Sequence, residues 1–201
     1  IVRFFEIPPI PRKDIPSTVG YEIKKYIPFK TEDITYDYQT RMEEKVVEVL
    51  FAGIKNEDLA KYNSLLTQLK IDVIAVEPSQ FSLLRVLKAR KIITNKDSVV
   101  ILELGKYDGS IAIVNNGLSC FLRDIKLASV AESQAADSGA AHFRLINEVR
   151  VSIDYFRRQF LKKAIEKVIV ISKGETNELL ATFNKELSLP VIHKSPDEII
   201  G

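Results

Sequence analysis

The sequence predicts an α/β protein built in two modules, and three observations carry that prediction. Short apolar runs with alternating or continuous character recur between longer segments whose apolar residues step by three and four. Residues 1–75 read in the order strand, helix, strand, strand, helix, strand, which makes a compact unit. From about residue 76 the chain places three β runs in succession, then a long amphipathic helix, a strand, a helix and a strand. Apolar residues are 46% of the 201, enough for a real core, and charged residues are 28%. The formal charge of +2 gives no global argument for nucleic acid. The one cysteine, Cys120, rules out an internal disulfide, points to a reducing compartment, and sits in a β run as a small buried residue. No apolar run reaches the length of a membrane span. The chain opens on Ile1 rather than methionine, already within a strand, so the natural start is expected upstream.

The first strand covers residues 1–7 and stops at Pro8 and Pro9. The run "KDIPSTVGYEIKKYI" reads as a helix capped by Asp14, with Pro16 in its first turn and Ile15, Val19, Ile23 and Ile27 as its buried stripe. "DITYDYQT" and "KVVEVLFAGI" alternate as an antiparallel pair. "NEDLAKYNSLLTQLK" is a capped helix expected to turn Leu59, Tyr62, Leu66 and Leu69 inward, and "IDVIAVEP" is a strand. "SQFSLLRVLKARK" is a short helix with Phe81, Leu84 and Leu87 inward.

The runs at 99–104, 110–114 and 118–125 should be consecutive antiparallel strands of one sheet. "SVAESQAADSGAA" is small, polar and Ala-rich, as in a loop or a shortened insertion. In the long helix that follows, Ile146, Val149, Ile153, Phe156 and Phe160 form a stripe expected to pack on that sheet. "VIVIS" is a buried strand, "GETNELLATFNKEL" a helix opening at a glycine, and "LPVIH" a last short strand.

Four groups of residues could carry function. The hairpin around Gly105 has two readings. Glycine lets backbone N–H groups approach a phosphate, with Ser110 adding a hydroxyl and Glu103 reaching toward a metal-bound water shell. Alternatively, Asp108-Gly109 supplies an ordinary primed turn. Gly174 before Glu175 and a helix could seat an anion or simply cap the helix. On the long helix, Arg150, Arg157, Arg158, Lys162 and Lys163 could meet an acidic partner or form a solvated face balanced by Glu148 and Asp154. Finally, Tyr21, Tyr26, Tyr36, Tyr38 and Phe29 cluster with Lys24, Lys25 and Lys30. They could anchor a peptide, or partly cover the module's own sheet. His142 and His193 lack zinc-ligand spacing, and no Ser-His-Asp or Cys-His arrangement is visible.

Six stretches in the same order resemble the actin-like family of PilM, the cytoplasmic protein of type IV pilus assembly, and more distantly FtsA. They are "FFEIPPIPRKDIPSTVGYEIKKYIPF", "VEPSQFSLLRVL", "VVILELGKYDGSIAIVNNG", "CFLRDI" with Arg123, "INEVRVSIDYFRRQ" and "VIVISKGETNELLATFNKELSLPV". The resemblance covers nearly the whole chain. It implies an actin-like (ribonuclease H-like) lobe at 76–201 with an inserted small α/β subdomain at 1–75. It also implies a degenerate nucleotide site at Glu103, Gly105, Ser110 and Gly174.

The chain departs from the family pattern in three ways. The region carrying the first phosphate loop is absent. Glu103-Leu104-Gly105 stands where the family favours Asp-Ile-Gly, with Gly109 at the threonine position. Lys173 replaces the first of a glycine pair. These departures lead to the expectation that the chain is not an enzyme and holds no cofactor, with ATP–Mg expected only in a longer chain. By the same resemblance, a PilN-like inner-membrane protein tail docks on Tyr21, Lys24, Lys25 and Tyr26, and the protein is a cytoplasmic scaffold at the inner membrane. Two alternatives remain: part of an ATP-binding actin-like protein, and a GspL-like cytoplasmic domain of a type II secretion system.

Overall fold

The computed structural model describes residues 1–127, 138–160, 164–173 and 177–201, with 138–141 as backbone only. Its contacts divide the chain into two units, Ile1–Ser82 and Leu83–Gly201.

In the first unit, β1 (Val2–Ile7), β2 (Ile34–Met42) and β3 (Val47–Lys55) form an antiparallel sheet in the order β1-β3-β2. The pair read from "DITYDYQT" and "KVVEVLFAGI" therefore forms as expected, with Tyr38 opposite Phe51 and Thr40 opposite Val49. Helix α1 (Ile15–Glu22) is flanked by short 3₁₀ turns at Arg12–Asp14 and Ile23–Lys25. The predicted stripe of Ile15, Val19, Ile23 and Ile27 runs past the end of α1 through the second of these turns, and all four are buried with Phe5, Ile7, Val47, Val49 and Phe51, which alternate onto one face of the sheet. Asp14 occupies the cap position, but its carboxylate makes no cap bond; instead its carbonyl accepts from the Ser17 and Thr18 hydroxyls at 2.9 Å. On the other face, buried Glu48 pairs with Arg41 directly across from it on β2.

Two expectations for this unit are corrected. Helix α2 (Asn56–Gln68) forms, but it buries no residue, and Tyr62 and Leu69 lie exposed. Leu59 and Leu66, the other two residues expected inward, are half-buried where the helix packs on β2 and β3. The strand expected at "IDVIAVEP" is also absent, because residues 71–78 adopt no regular structure and pair with no described strand. An extended, β-branched run becomes a strand only when a neighbour satisfies its backbone.

Helix α3 (Ser79–Ala89) runs across the division at Ser82 and Leu83; it turns Leu84 and Leu87 into the core of the second unit, while Phe81 is only half-buried. Strands β4 (Ser98–Leu104), β5 (Asp108–Asn115), β6 (Leu118–Lys126), β7 (Lys167–Ser172) and β8 (Val191–Lys194) form one mixed sheet in the order β6-β5-β4-β7-β8. The meander β4-β5-β6 is antiparallel, as the three runs predicted, and β7 and β8 join in parallel. Asn116 and Gly117, both with positive φ (47° and 79°), make the tight turn between β5 and β6.

Val99, Ile101, Ala112, Val114, Ile169 and Ile171 face one side of the sheet. There they meet Leu84, Leu87, Ile93 and Ile199. The alternate residues Val100, Leu102, Ile111, Ile113, Val168 and Val170 are fully buried on the opposite side. Helices α4 (Ser138–Gln159) and α5 (Asn177–Leu187) pack there, α4 against β5 and α5 against β8. Ile146, Val149, Ile153 and Phe156 are buried as the stripe predicted; Phe160, just past the helix end, is half-buried. Cys120 is buried. The terminal helix α6 (Pro196–Ile200) was not anticipated. Its signal was present in Ser195-Pro196-Asp197-Glu198, a capping box in which Ser195 Oγ accepts from the Glu198 N–H at 3.2 Å and Glu198 accepts from the Ser195 N–H at 2.8 Å.

Candidate functional site

The aromatic residues of the first unit divide into two groups. Tyr36 and Tyr38 belong to the sheet: Tyr36 tilts onto Phe51 at 5.5 Å between ring centroids, and Tyr38 packs against the core. Tyr36 is still exposed at its outer edge, as are Tyr21, in the last turn of α1, and Tyr26 and Phe29, which follow that helix. Tyr21 is 66% exposed, with the Lys25 ammonium 5.8 Å from its ring centroid. Tyr26 is 36% exposed and stacks on buried Phe5 at 4.9 Å, so it is partly structural. Phe29 lies under the Lys55 ammonium at 4.6 Å.

The lysines also differ. Lys25 is held by Glu22 at 2.7 Å, and that hydrogen bond raises its pKa above the ordinary lysine value. Lys24 and Lys30 are exposed and make no ion pair with a described residue. Of the four residues predicted to meet a partner, Tyr21 and Lys24 are therefore the freely available ones. Lys25 brings a local counter-charge, and Tyr26 brings a stacking duty.

At the second unit's hairpin, Glu103 lies opposite Ser110 and Leu104 opposite Gly109. The turn itself is residues 105–107, so Asp108 and Gly109 are strand residues and not the primed turn expected of that dipeptide. Gly109 is needed for close approach rather than for φ, because a Cβ there would lie 2.5 Å from the Glu103 carbonyl oxygen. A Cβ at Gly105 would lie 2.8 Å from the Asp108 carbonyl oxygen.

The groups that could grip a phosphate already have internal partners. The Gly105 N–H donates to the Asp108 carbonyl at 2.8 Å, and the buried Ser110 hydroxyl donates to Glu103 Oε2 at 3.3 Å. Gly174, with Glu175 beside it, lies outside the described residues, as do Lys162 and Lys163. Lys173 is exposed.

Arg150, Arg157 and Arg158 of α4 are all exposed. Arg150 pairs with Glu186 at 2.8 Å, and Arg123 on β6 pairs with Glu148 at 2.9 Å. One contact was not foreseen. Ser172 Oγ and His193 Nε2 are 3.0 Å apart, brought together by the parallel pairing of β7 and β8. His193 makes no bond to a carboxylate among the described residues, so the pair lacks the orienting acid of a hydrolytic triad. Among the described residues no three His, Cys, Asp or Glu side chains converge as a metal site, and no helix is long and apolar enough to cross a membrane.

No protein-family model matches the chain, and no curated protein matches it in sequence. Solved structures do match. A chain of the PilM-PilN type IV pilus biogenesis complex superposes with a TM-score of 0.76 at 20% identity, covering 100% of this chain and 68% of that one. A Bacteroides thetaiotaomicron protein with actin-like ATPase fold gives a TM-score of 0.47 at 14% identity, over 96% of this chain and 65% of that one. The cytoplasmic domain of EpsL, an inner-membrane component of the type II secretion system of Vibrio cholerae, gives 0.48 at 14% identity, over 85% and 56%. The α/β arrangement implied by the PilM resemblance is the fold the chain adopts.

Proposed function

We propose that this protein is a PilM-like scaffold of type IV pilus assembly, held at the inner membrane by the cytoplasmic tail of a PilN-like protein. The observation that carries the reading is the unsatisfied surface at the end of α1: Tyr21 and Phe29 exposed beside lysines, two of which have no carboxylate partner among the described residues. Rigid aromatics next to cations are over-represented where a few residues dominate peptide binding. The fold shared with a chain of the PilM-PilN complex supports the same assignment. The tail supplies apolar side chains to Tyr21 and Tyr26 and carboxylates to Lys24. Scaffolding rather than ATP turnover fits the hairpin, where the Gly105 amide and the Ser110 hydroxyl are bonded internally.

The test is a titration of the tail peptide of the PilN-like protein from the same genome, followed by fluorescence anisotropy. Tyr21→Ala should weaken binding by roughly 1–3 kcal/mol while leaving the melting temperature unchanged. Lys24→Glu should weaken it in a salt-dependent way. Tyr26→Ala should lower both affinity and stability, because it also strips the ring from Phe5. Unchanged affinity in both Tyr21→Ala and Lys24→Glu would remove the docking site from this surface. Calorimetric titration with ATP–Mg should show no micromolar binding to this chain alone.

A further inference from the structure

Strand β6 is the outer strand of its sheet, paired with β5 on one side only. Among the described residues, no main-chain hydrogen bond joins residues 121–126 to anything beyond that sheet. Beside this open edge, α4 turns apolar side chains to solvent. Val151 and Tyr155 are both about half exposed, and the Tyr155 ring tilts onto Phe121 of β6 at 5.5 Å between centroids. Further up the same strand, Arg123 reaches Glu148 of α4 at 2.9 Å. The two contacts mark two levels at which β6 meets α4. Leu122 lies midway between them on the strand, and Val151 lies midway on the helix. An edge strand with open main-chain groups, flanked by an apolar helix side, is a template for another strand.

We propose that β6 pairs antiparallel with β6 of a second copy of this chain, about a two-fold axis at Leu122, so that the two sheets become continuous and the α4 helices meet at Val151 and Tyr155. Charge selects a second copy as the occupant. With the axis at Leu122, Arg123 of each copy stands opposite Phe121 of the other, so a guanidinium meets an aromatic ring twice. The patch is then complementary to itself, as an isologous interface requires. The same charges exclude neighbouring registers. An axis at Arg123 sets two guanidinium groups against each other, and an axis at Asp124 sets two carboxylates together. Moving the axis the other way carries the ladder into Cys120, the extra residue where the register between β5 and β6 shifts. The inference stands apart from the docking reading, because it uses no residue of the first unit.

Sedimentation equilibrium of the 201-residue chain is the test. A short ladder and one helix contact make a small interface, so a monomer–dimer equilibrium with a dissociation constant on the order of 10 μM is expected. Val151→Asp brings two carboxylates together near the axis. It should weaken dimerisation by at least about tenfold while leaving the melting temperature of the dilute, monomeric chain unchanged. Hydrogen exchange locates the contact, because the amides of 121–125 that point away from β5 should slow as concentration rises. Ile74→Asp, on the exposed apolar segment of the first unit, should leave the equilibrium as it is. A chain that stays monomeric up to about 1 mM overturns the proposal. So does a dimer that withstands Val151→Asp, one that Ile74→Asp disperses, or one whose new protection lies outside β6 and α4.

Discussion

Ile153 and Val151 are two residues apart on α4 and should respond oppositely to the same substitution. Ile153 is 4% exposed, within the stripe packed on the sheet, while Val151 is 50% exposed on the far side of the helix. Replacing Ile153 with Asp removes nearly the full burial of an isoleucine, about 2–3 kcal/mol. It also places a carboxylate among apolar neighbours, which adds a few kcal/mol while it stays charged. Together these come to at least ~5 kcal/mol, comparable with the whole stability of many domains. Val151→Asp loses only a half-solvated side chain and should stay within ~1 kcal/mol. Urea unfolding followed by circular dichroism measures both. The pH dependence adds a second check. An unpartnered buried Asp has a raised folded pKa, so its electrostatic penalty is full at pH 7 and fades as the pH falls through that value toward the unfolded one. Equal destabilisation by the two substitutions, or a larger loss at Val151, would refute the placement of the stripe.

Two further predictions concern the same unit. Gly109→Ala should cost about 1–3 kcal/mol in thermal unfolding without any nucleotide present, because its Cβ meets the Glu103 carbonyl oxygen at 2.5 Å and two backbones must separate to admit it. Asp97 has its pKa lowered mainly by the Thr94 hydroxyl at 2.6 Å, with a smaller contribution from Lys167 at 3.2 Å. Its stabilisation is therefore present above the ordinary carboxylate value and is lost as pH falls through the lower folded value. Asp97→Asn should reduce the melting temperature modestly at pH 7, by no more than ~1 kcal/mol of stability for a partly solvated pair, and the gap to wild type should close below about pH 4.

Local pattern alone determined the elements whose partners lie close in sequence or whose apolar periodicity is strong. The stripe Ile146-Val149-Ile153-Phe156 encodes a buried helix face, and Ile15-Val19-Ile23-Ile27 a buried line that α1 begins and a 3₁₀ turn continues, because a period near 3.6 leaves one side apolar whatever covers it. The β4-β5-β6 meander was legible for the same reason: short polar gaps force adjacent antiparallel pairing. Tertiary structure decided everything that depends on what a surface meets. Residues 71–76 and the Leu59-Tyr62-Leu66-Leu69 face of α2 carry the same signals as buried elements, yet 71–76, Tyr62 and Leu69 are exposed and Leu59 and Leu66 only half-buried, since propensity names a preference and only a neighbour fulfils it. The roles of Gly105 and Gly109 turned on the positions of the Asp108 and Glu103 carbonyls, which no dipeptide signal contains. Likewise Tyr21 and Tyr26, five residues apart with equal claims in the sequence, were separated only when Phe5 from β1 arrived under one ring and solvent stayed over the other.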